Sequence, residues 1–164
     1  MTFVLRPPTA HDAERVAAVH VSAWREAYAH LLPVGFFDDA HVRIRREMWA
    51  QNLGSSVDAW TIRIGERGGR LVGFATAGPS GAGGNAEPVR ARQLYNLYVL
   101  RAEYGTGLGQ ALLDEVLGDE SAELWVAERN PRAITFYRRN GFEFDGARHV
   151  DADLPAMASV RMIR

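Results

Sequence analysis

Between residues 99 and 109 the chain reads Val-Leu-Arg-Ala-Glu-Tyr-Gly-Thr-Gly-Leu-Gly, with three glycines at every second position from Gly105 to Gly109. An apolar, aromatic run precedes this stretch and a helical pattern succeeds it. A junction of that kind has a defined chemistry. The first helical turn leaves its N–H groups unpaired, the helix dipole favours negative charge there, and glycines let an anion approach the main chain. The stretch therefore reads as an anion site, or else as a plain tight turn between strand and helix.

Two nucleotide uses fail on detail. A dinucleotide fingerprint starting at Gly107 requires a glycine at position 112, where Leu112 stands. A P-loop requires a lysine, and all 19 basic residues are arginine. The remaining common use of such a turn is the pyrophosphate of coenzyme A. A second group with chemical potential is the aromatic series Trp24, Tyr28, Phe36, Phe37 and Trp49. Trp24 and Tyr28 lie four residues apart on one helical face, so the series reads as core or as an aromatic-walled pocket with polar tips from Tyr28, Ser22 and His20. No metal-ligand spacing accompanies His20 or His149.

These residues need elements to position them. Phe3 to Arg6 is a short extended segment ended by Pro7-Pro8, and Thr9 with Asp12 resembles a helix cap. Val16, Val19, His20, Ala23, Trp24, Ala27 and Tyr28 recur at helical spacing over residues 10–29, and a second helical pattern runs from Phe36 to Asn52. Residues 60–66 and 70–77 form a hairpin about Gly68-Gly69. Gly78 to Gly84 reads as a mobile, solvated loop, because its glycines have no helix behind them. Gln93 to Val99 is a strand, Leu108 onward a helix, Leu124 to Ala127 a strand, and Asn130-Pro131 opens a helix ending near Asn140-Gly141. Phe142 to Val150 and Met157 to Ile163 are the last strands. The order β-α-α-β-β-β-α-β-α-β-β predicts one mixed α/β domain over residues 1–164.

Composition narrows the class. A chain of 164 residues buries roughly two-thirds of its unfolded surface and folds around one core. It has no cysteine, which excludes disulfides and a thiol nucleophile, and no metal site is expected. A net charge of −1 gives no pull toward nucleic acid or an anionic membrane. The N-terminus lacks the pattern of a secretory signal and no apolar run approaches the ~20 residues of a membrane span. Cytoplasmic residence is expected.

The stretch Leu94–Tyr95–Asn96–Leu97–Tyr98–Val99, continued by Tyr104–Gly105–Thr106–Gly107–Leu108–Gly109 and Ala111–Leu112–Leu113, resembles the acetyl-CoA motif of the GNAT N-acetyltransferases. Leu124–Trp125–Val126, Asn130–Pro131–Arg132–Ala133, Phe136–Tyr137 and Asn140–Gly141–Phe142 match the second motif in the right order. The N-terminal segment and the His20–Tyr28 helix are similar to a bacterial branch of that family. One position departs: the family usually has Arg or Gln where Tyr104 stands, and a phenol cannot make the same charge-assisted bond to phosphate. Arg101 is the expected substitute for that charge.

The resemblance implies the GNAT fold, an α/β (α+β) architecture whose mixed central sheet has splayed parallel strands and flanking helices. It implies acetyl-CoA as cofactor. Its tail would lie along Leu97, Tyr98 and Val99, and its pyrophosphate on the main chain of Tyr104, Gly105, Thr106, Gly107, Leu108 and Gly109. Asn130, Ala133 and Tyr137 would complete that site. Tyr137 matches the family's general-acid tyrosine; its alternative is an aromatic packed on the sheet. Asn130 is equally a helix cap. Trp24, Tyr28, Tyr95 and Asn96 are the expected acceptor contacts, and the acceptor is an amine on a small molecule or peptide. The strand position where some members carry a glutamate base is filled here by Gln93, Tyr95 and Asn96. The fold commonly forms homodimers. The rival expectation is a non-catalytic acyl-CoA-binding regulatory module of the same fold.

Overall fold

Arg6, at the end of strand β1 (Val4–Arg6), donates to both carboxylate oxygens of Asp12 at 2.8 and 2.9 Å and to Glu66 at 3.0 Å, which ties the N-terminal strand to two later segments of the chain. The computed structural model describes residues 2–55, 58–84 and 86–164. Thr9 donates its backbone N–H to Asp12 at 2.8 Å, so the expected acidic cap forms ahead of helix α1 (Ala13–Tyr28). Along α1, Val16, Ala17, Val19, His20 and Ala23 are buried at helical spacing. Asp38 accepts the His41 N–H at 2.8 Å and caps α2 (Asp39–Gly54), which begins three residues later than the aromatic pattern suggests.

The hairpin is β2 (Thr61–Arg67) and β3 (Arg70–Pro79), turning at Gly68 and Gly69 with φ of +56° and +76°. β3 extends through Gly78 and Pro79, further than expected, because both remain in register with β4 (Arg92–Val99). Of the segment read as a mobile loop, Gly78 and Pro79 belong to β3 and residues 80–83 form turns. The chain continues through α3 (Leu108–Leu117), β5 (Glu123–Ala127), α4 (Pro131–Arg139), β6 (Glu143–His149) and β7 (Ser159–Ile163).

These strands form one sheet of seven in the order β1-β2-β3-β4-β5-β7-β6. It is mixed: β4 and β5 pair in parallel and the other neighbours are antiparallel. The last strand inserts between β5 and β6. One face carries α3, where Leu108, Leu112 and Leu113 are fully buried with Leu94, Leu124 and Phe142. The other carries α1 and α2, with Trp49, Ile64 and Phe74 at its centre. Each such side chain contributes about 1.5–3 kcal/mol by leaving water.

Two irregularities shape the middle of this sheet. The β3–β4 register shifts between Thr76 and Ala77, whose partners are Asn96 and Leu94, so Tyr95 is an extra residue in β4. The bulge reverses the alternation, and Leu94 and Leu97 both pack toward α3. β4 and β5, in turn, pair only at Gln93↔Glu123 and Leu94↔Leu124. Beyond that point they diverge, and residues 95–99 of β4 have a strand neighbour on the β3 side only. The splay expected between these strands is present.

Candidate active site

Beyond the splay, β4 leads through a short 3-10 turn at Arg101–Glu103 into the glycine turn. Gly105 and Gly107 have φ of +78° and +87°, a region where a Cβ costs about 1 kcal/mol or more, and Gly107 is the residue before the first turn of α3. Nothing lies within 4 Å of where a Cβ would stand on either, so the main chain here is open on its outer side. Three of the expected donors are already engaged within the turn, the Tyr104 N–H by the Arg101 carbonyl at 3.1 Å. The Thr106 N–H bonds the Glu103 carbonyl at 3.3 Å and the Leu108 N–H approaches the Thr106 hydroxyl at 3.4 Å. The N–H groups of Gly105, Gly107 and Gly109 have no acceptor among the described residues. Leu108 buries its side chain completely, which fixes the turn to the core.

The charge beside this turn comes from a residue the sequence did not single out. The Arg132 guanidinium stacks 3.7 Å over the centre of the Tyr104 ring, while Arg132 itself is exposed and has no carboxylate partner among the described residues. Arg101, the expected substitute, is turned away. It donates its guanidinium to the Glu26 carbonyl at 2.6 Å and its backbone N–H to the Glu26 carboxylate at 2.7 Å. Spacing along the chain could not have revealed Arg132, because the contact crosses from α3's turn to α4.

Across the splay stand three tyrosines and an asparagine from three elements, α1, β4 and α4. Asn130 caps α4 by accepting the Ala133 N–H at 3.1 Å, and its Nδ2 donates to the Tyr28 hydroxyl at 3.0 Å. The cap expected of an asparagine there is present, and the side-chain amide is engaged by Tyr28. Tyr98 accepts from the Trp24 indole N–H at 2.9 Å and stacks on His20, with ring centres 4.9 Å apart. Tyr137 is buried between Phe136 and Phe142, and its hydroxyl has no hydrogen-bond partner among the described residues. Burial pushes the Tyr137 phenol well above the ordinary tyrosine value, and Tyr98 and Tyr28 push it the same way. Burial likewise raises Tyr98 and Tyr28, the latter opposed by its bond from Asn130. All three are neutral phenols at neutral pH.

Trp24 and Tyr28 meet edge to face at 5.3 Å, and Phe36 lies nearly parallel to Trp24 at 6.3 Å. The aromatic series therefore divides. Trp49 is core, donating its indole N–H to His20 Nδ1 at 3.1 Å, whereas Trp24, Tyr28 and Phe36 are only partly covered or line the site. His20 is structural. Burial, helped by Arg45 and His41, holds its imidazole down to about 3, so it stays neutral.

The other expected site residues hold the surrounding framework. Leu97 and Val99 face the α3 core, and Ala133 packs against the same cluster. Asn96 donates to the buried Thr76 hydroxyl at 2.7 Å. Tyr95 donates to the Pro79 carbonyl at 2.5 Å, accepts the Ala82 N–H at 3.1 Å and lies tilted against Trp60 with ring centres 4.7 Å apart, so it anchors the turn after β3. Two carboxylates from the first helices are committed elsewhere, Glu26 to Arg101 and Asp38 to its cap. No group of three metal-ligating side chains occurs among the described residues, and no helix is long and apolar enough to cross a membrane.

Residues 58–144 match the sequence profile described as the acetyltransferase (GNAT) domain. Over 140 residues the chain is 32% identical to Probable N-acetyltransferase Rv2775 of Mycobacterium tuberculosis, covering 82% of this chain and 76% of that one. It is 28% identical over 164 residues to Uncharacterized N-acetyltransferase YuaI of Bacillus subtilis, covering 88% and 87%. Its backbone is similar to that of the PaiA N-acetyltransferase of Thermoplasma acidophilum, crystallised with coenzyme A, with a TM-score of 0.74, 18% identity and coverage of 99% and 98%.

Proposed function

Because the chain belongs to the GNAT acetyltransferase family, we propose that it transfers the acetyl group of acetyl-CoA to the amine of a small molecule or peptide, with residues 1–164 acting as one catalytic domain. The observation that carries this reading is the Tyr137 phenol. It is buried, protonated and free of any partner among the described residues, and burial together with the neighbouring Tyr98 and Tyr28 phenols opposes its ionisation.

The residues present fit the cofactor. The N–H groups of Gly105, Gly107 and Gly109 are donors at a helix N-terminus with no acceptor among the described residues, and Arg132 over Tyr104 adds the cation that the Tyr104 substitution removes. The one-sided stretch of β4 from 95 to 99 offers main-chain groups to an extended amide-bearing tail. When bound, acetyl-CoA supplies a thioester whose carbonyl carbon is open to attack by a neutral amine. The C–N bond forms as the C–S bond breaks, Tyr137 gives its hydroxyl proton to the leaving sulfur, and the amine's proton passes to solvent. Burial raises Tyr137, which keeps it a donor at neutral pH; a thiolate expelled into the same dry cleft is raised by the same loss of water. Asn130 and Tyr28 hold the cleft walls together by their direct bond.

The test is release of free thiol from acetyl-CoA in the presence of an amine panel, with mass spectrometry of the amine. The expected outcome is steady turnover and a product heavier by one acetyl group. Stoichiometric binding of coenzyme A with no turnover on any amine would overturn the proposal in favour of a binding module.

A further inference from the structure

Most arginines on this face of the molecule have a carboxylate. On α2, Arg43 pairs with Glu47 and Arg46 with Glu14, both exposed and loosely spaced at 3.9 and 3.8 Å. Arg45, between them, differs. It is partly buried, and among the described residues it has no carboxylate partner at all. Its guanidinium lies 5.5 Å from the centre of the Trp24 ring, and its only polar contact among those residues is a 4.0 Å approach to the Met48 sulfur. A half-desolvated cation without an anion is a cost to the fold, which is maintained where a ligand supplies the missing charge.

The surroundings say what kind of anion fits. Around Arg45 stand His20, His41 and Tyr98, whose titration its charge shifts. His20 is 3% exposed, and because its Nδ1 accepts from Trp49, its proton sits on Nε2, which has no acceptor among the described residues. Burial depresses both histidines, with Arg45 adding to it, so they are neutral and Arg45 is the single full charge of the group. One cation matches a monoanion rather than a phosphate dianion. The Trp24 indole beneath Arg45 also bonds Tyr98, on the one-sided stretch of β4, and meets Tyr28 of the Asn130 pair. Arg45 is thus joined, through one aromatic ring, to the wall of the reaction cleft.

Resting on the acetyltransferase reading above, we propose that Arg45 binds a carboxylate on the acceptor, so that the amine substrate is an amino-acid-like molecule whose apolar middle lies against Trp24 and Phe36. The guanidinium is the specificity element, the aromatic rings are the platform, and the amine at the other end of the molecule points to the splay. Arg45 does not take part in the chemistry.

Matched pairs that differ only in the carboxylate test this: 4-(2-aminoethyl)benzoate against phenethylamine, and 5-aminopentanoate against butylamine. Affinity of each for the coenzyme A complex of the full chain is measured by calorimetry, and acetylation by thiol release. The wild type is expected to bind at least one carboxylated member about tenfold or more tightly than its partner. Arg45→Gln, which keeps the apolar stem, is expected to abolish that preference while leaving coenzyme A affinity and the binding of the plain amines unchanged; Arg45→Lys restores part of it. Equal affinity within every pair, failure of the wild type to bind any carboxylated amine, or a preference that survives Arg45→Gln overturns the inference. Arg45-dependent binding without any acetyl transfer would instead overturn the acetyltransferase reading and leave Arg45 as a carboxylate site.

Discussion

The side-chain amide of Asn130 donates to the Tyr28 hydroxyl at 3.0 Å, joining the first turn of α4 to the last turn of α1 across the mouth of the splay. The same side chain accepts the Ala133 N–H and so caps α4. Asn130→Ala removes the cap and the bridge together. It is expected to cost about 1–2 kcal/mol, the range for loss of a helix cap. Tyr28→Phe, which removes only the bridge, is expected to cost less, about 1 kcal/mol. Chemical denaturation of the free protein measures both, and an Asn130→Ala variant as stable as the wild type would contradict the double role.

Tyr137→Phe deletes one hydroxyl that holds no hydrogen bond to any described residue. Stability and coenzyme A affinity should therefore be unchanged, while kcat falls on the order of 100-fold, the usual contribution of a positioned proton donor. Steady-state thiol release gives kcat, and calorimetry gives the affinity. Equal turnover removes Tyr137 from the chemistry.

Gly107→Glu places a carboxylate where Gly107 now leaves its N–H exposed at φ +87°. The substitution costs about 1–2 kcal/mol of backbone strain and should abolish coenzyme A binding through repulsion at the anion site. Gly107→Ala is the control, sharing the strain and not the charge, and should retain measurable affinity. Unchanged affinity of the Glu variant in calorimetry would defeat the assignment of the turn.

How far the sequence carries this picture can be seen at single positions. Helix α1 is legible because Val16, Val19, His20 and Ala23 repeat at the helical period and all are buried. The glycine turn is legible because positive-φ positions call for glycine. The bulge at Tyr95 is not, since it depends on the register between two strands and leaves no mark in the composition of either. That bulge is why Leu94 and Leu97 share a face. The insertion of β7 between β5 and β6 is equally hidden, as order in a sheet is set by long-range pairing. Charges were the least legible features. Arg101 and Arg132 are alike in sequence, and only the folded chain shows one bound to Glu26 and the other lying on Tyr104.

Burial sets a pH dependence through His20. Its imidazole is held down to about 3 in the folded state against an ordinary 6.5, by burial first and by Arg45 and His41 next. Between those values the unfolded chain binds a proton and the folded chain does not. Stability therefore falls as pH drops below 6.5, by up to about 1.4 kcal/mol per pH unit. His41, lowered chiefly by burial, adds in the same direction. Asp12 and Glu66, held low by their bonds to Arg6, act only in the more acid carboxylate range. Between about pH 7.5 and about pH 5 the wild type should lose about 1–2 kcal/mol more than His20→Phe in denaturant titrations. Parallel losses in the two proteins would show that His20 titrates freely.

The last expectation concerns the Arg132–Tyr104 stack. If Arg132 supplies the charge at the glycine turn, Arg132→Ala should weaken coenzyme A binding about tenfold. It should also reduce the salt dependence of that binding, since an exposed cation–phosphate contact is screened by salt. Tyr104→Ala keeps the cation and removes the ring that holds it 3.7 Å away in place, so it should weaken binding by a smaller factor and leave the salt dependence. Arg101→Ala should affect neither, because Arg101 is engaged by Glu26. Calorimetry over a range of salt concentrations separates the three variants. Loss of affinity in Arg101→Ala with none in Arg132→Ala would reverse the assignment and return the charge to the position first suggested by the chain order.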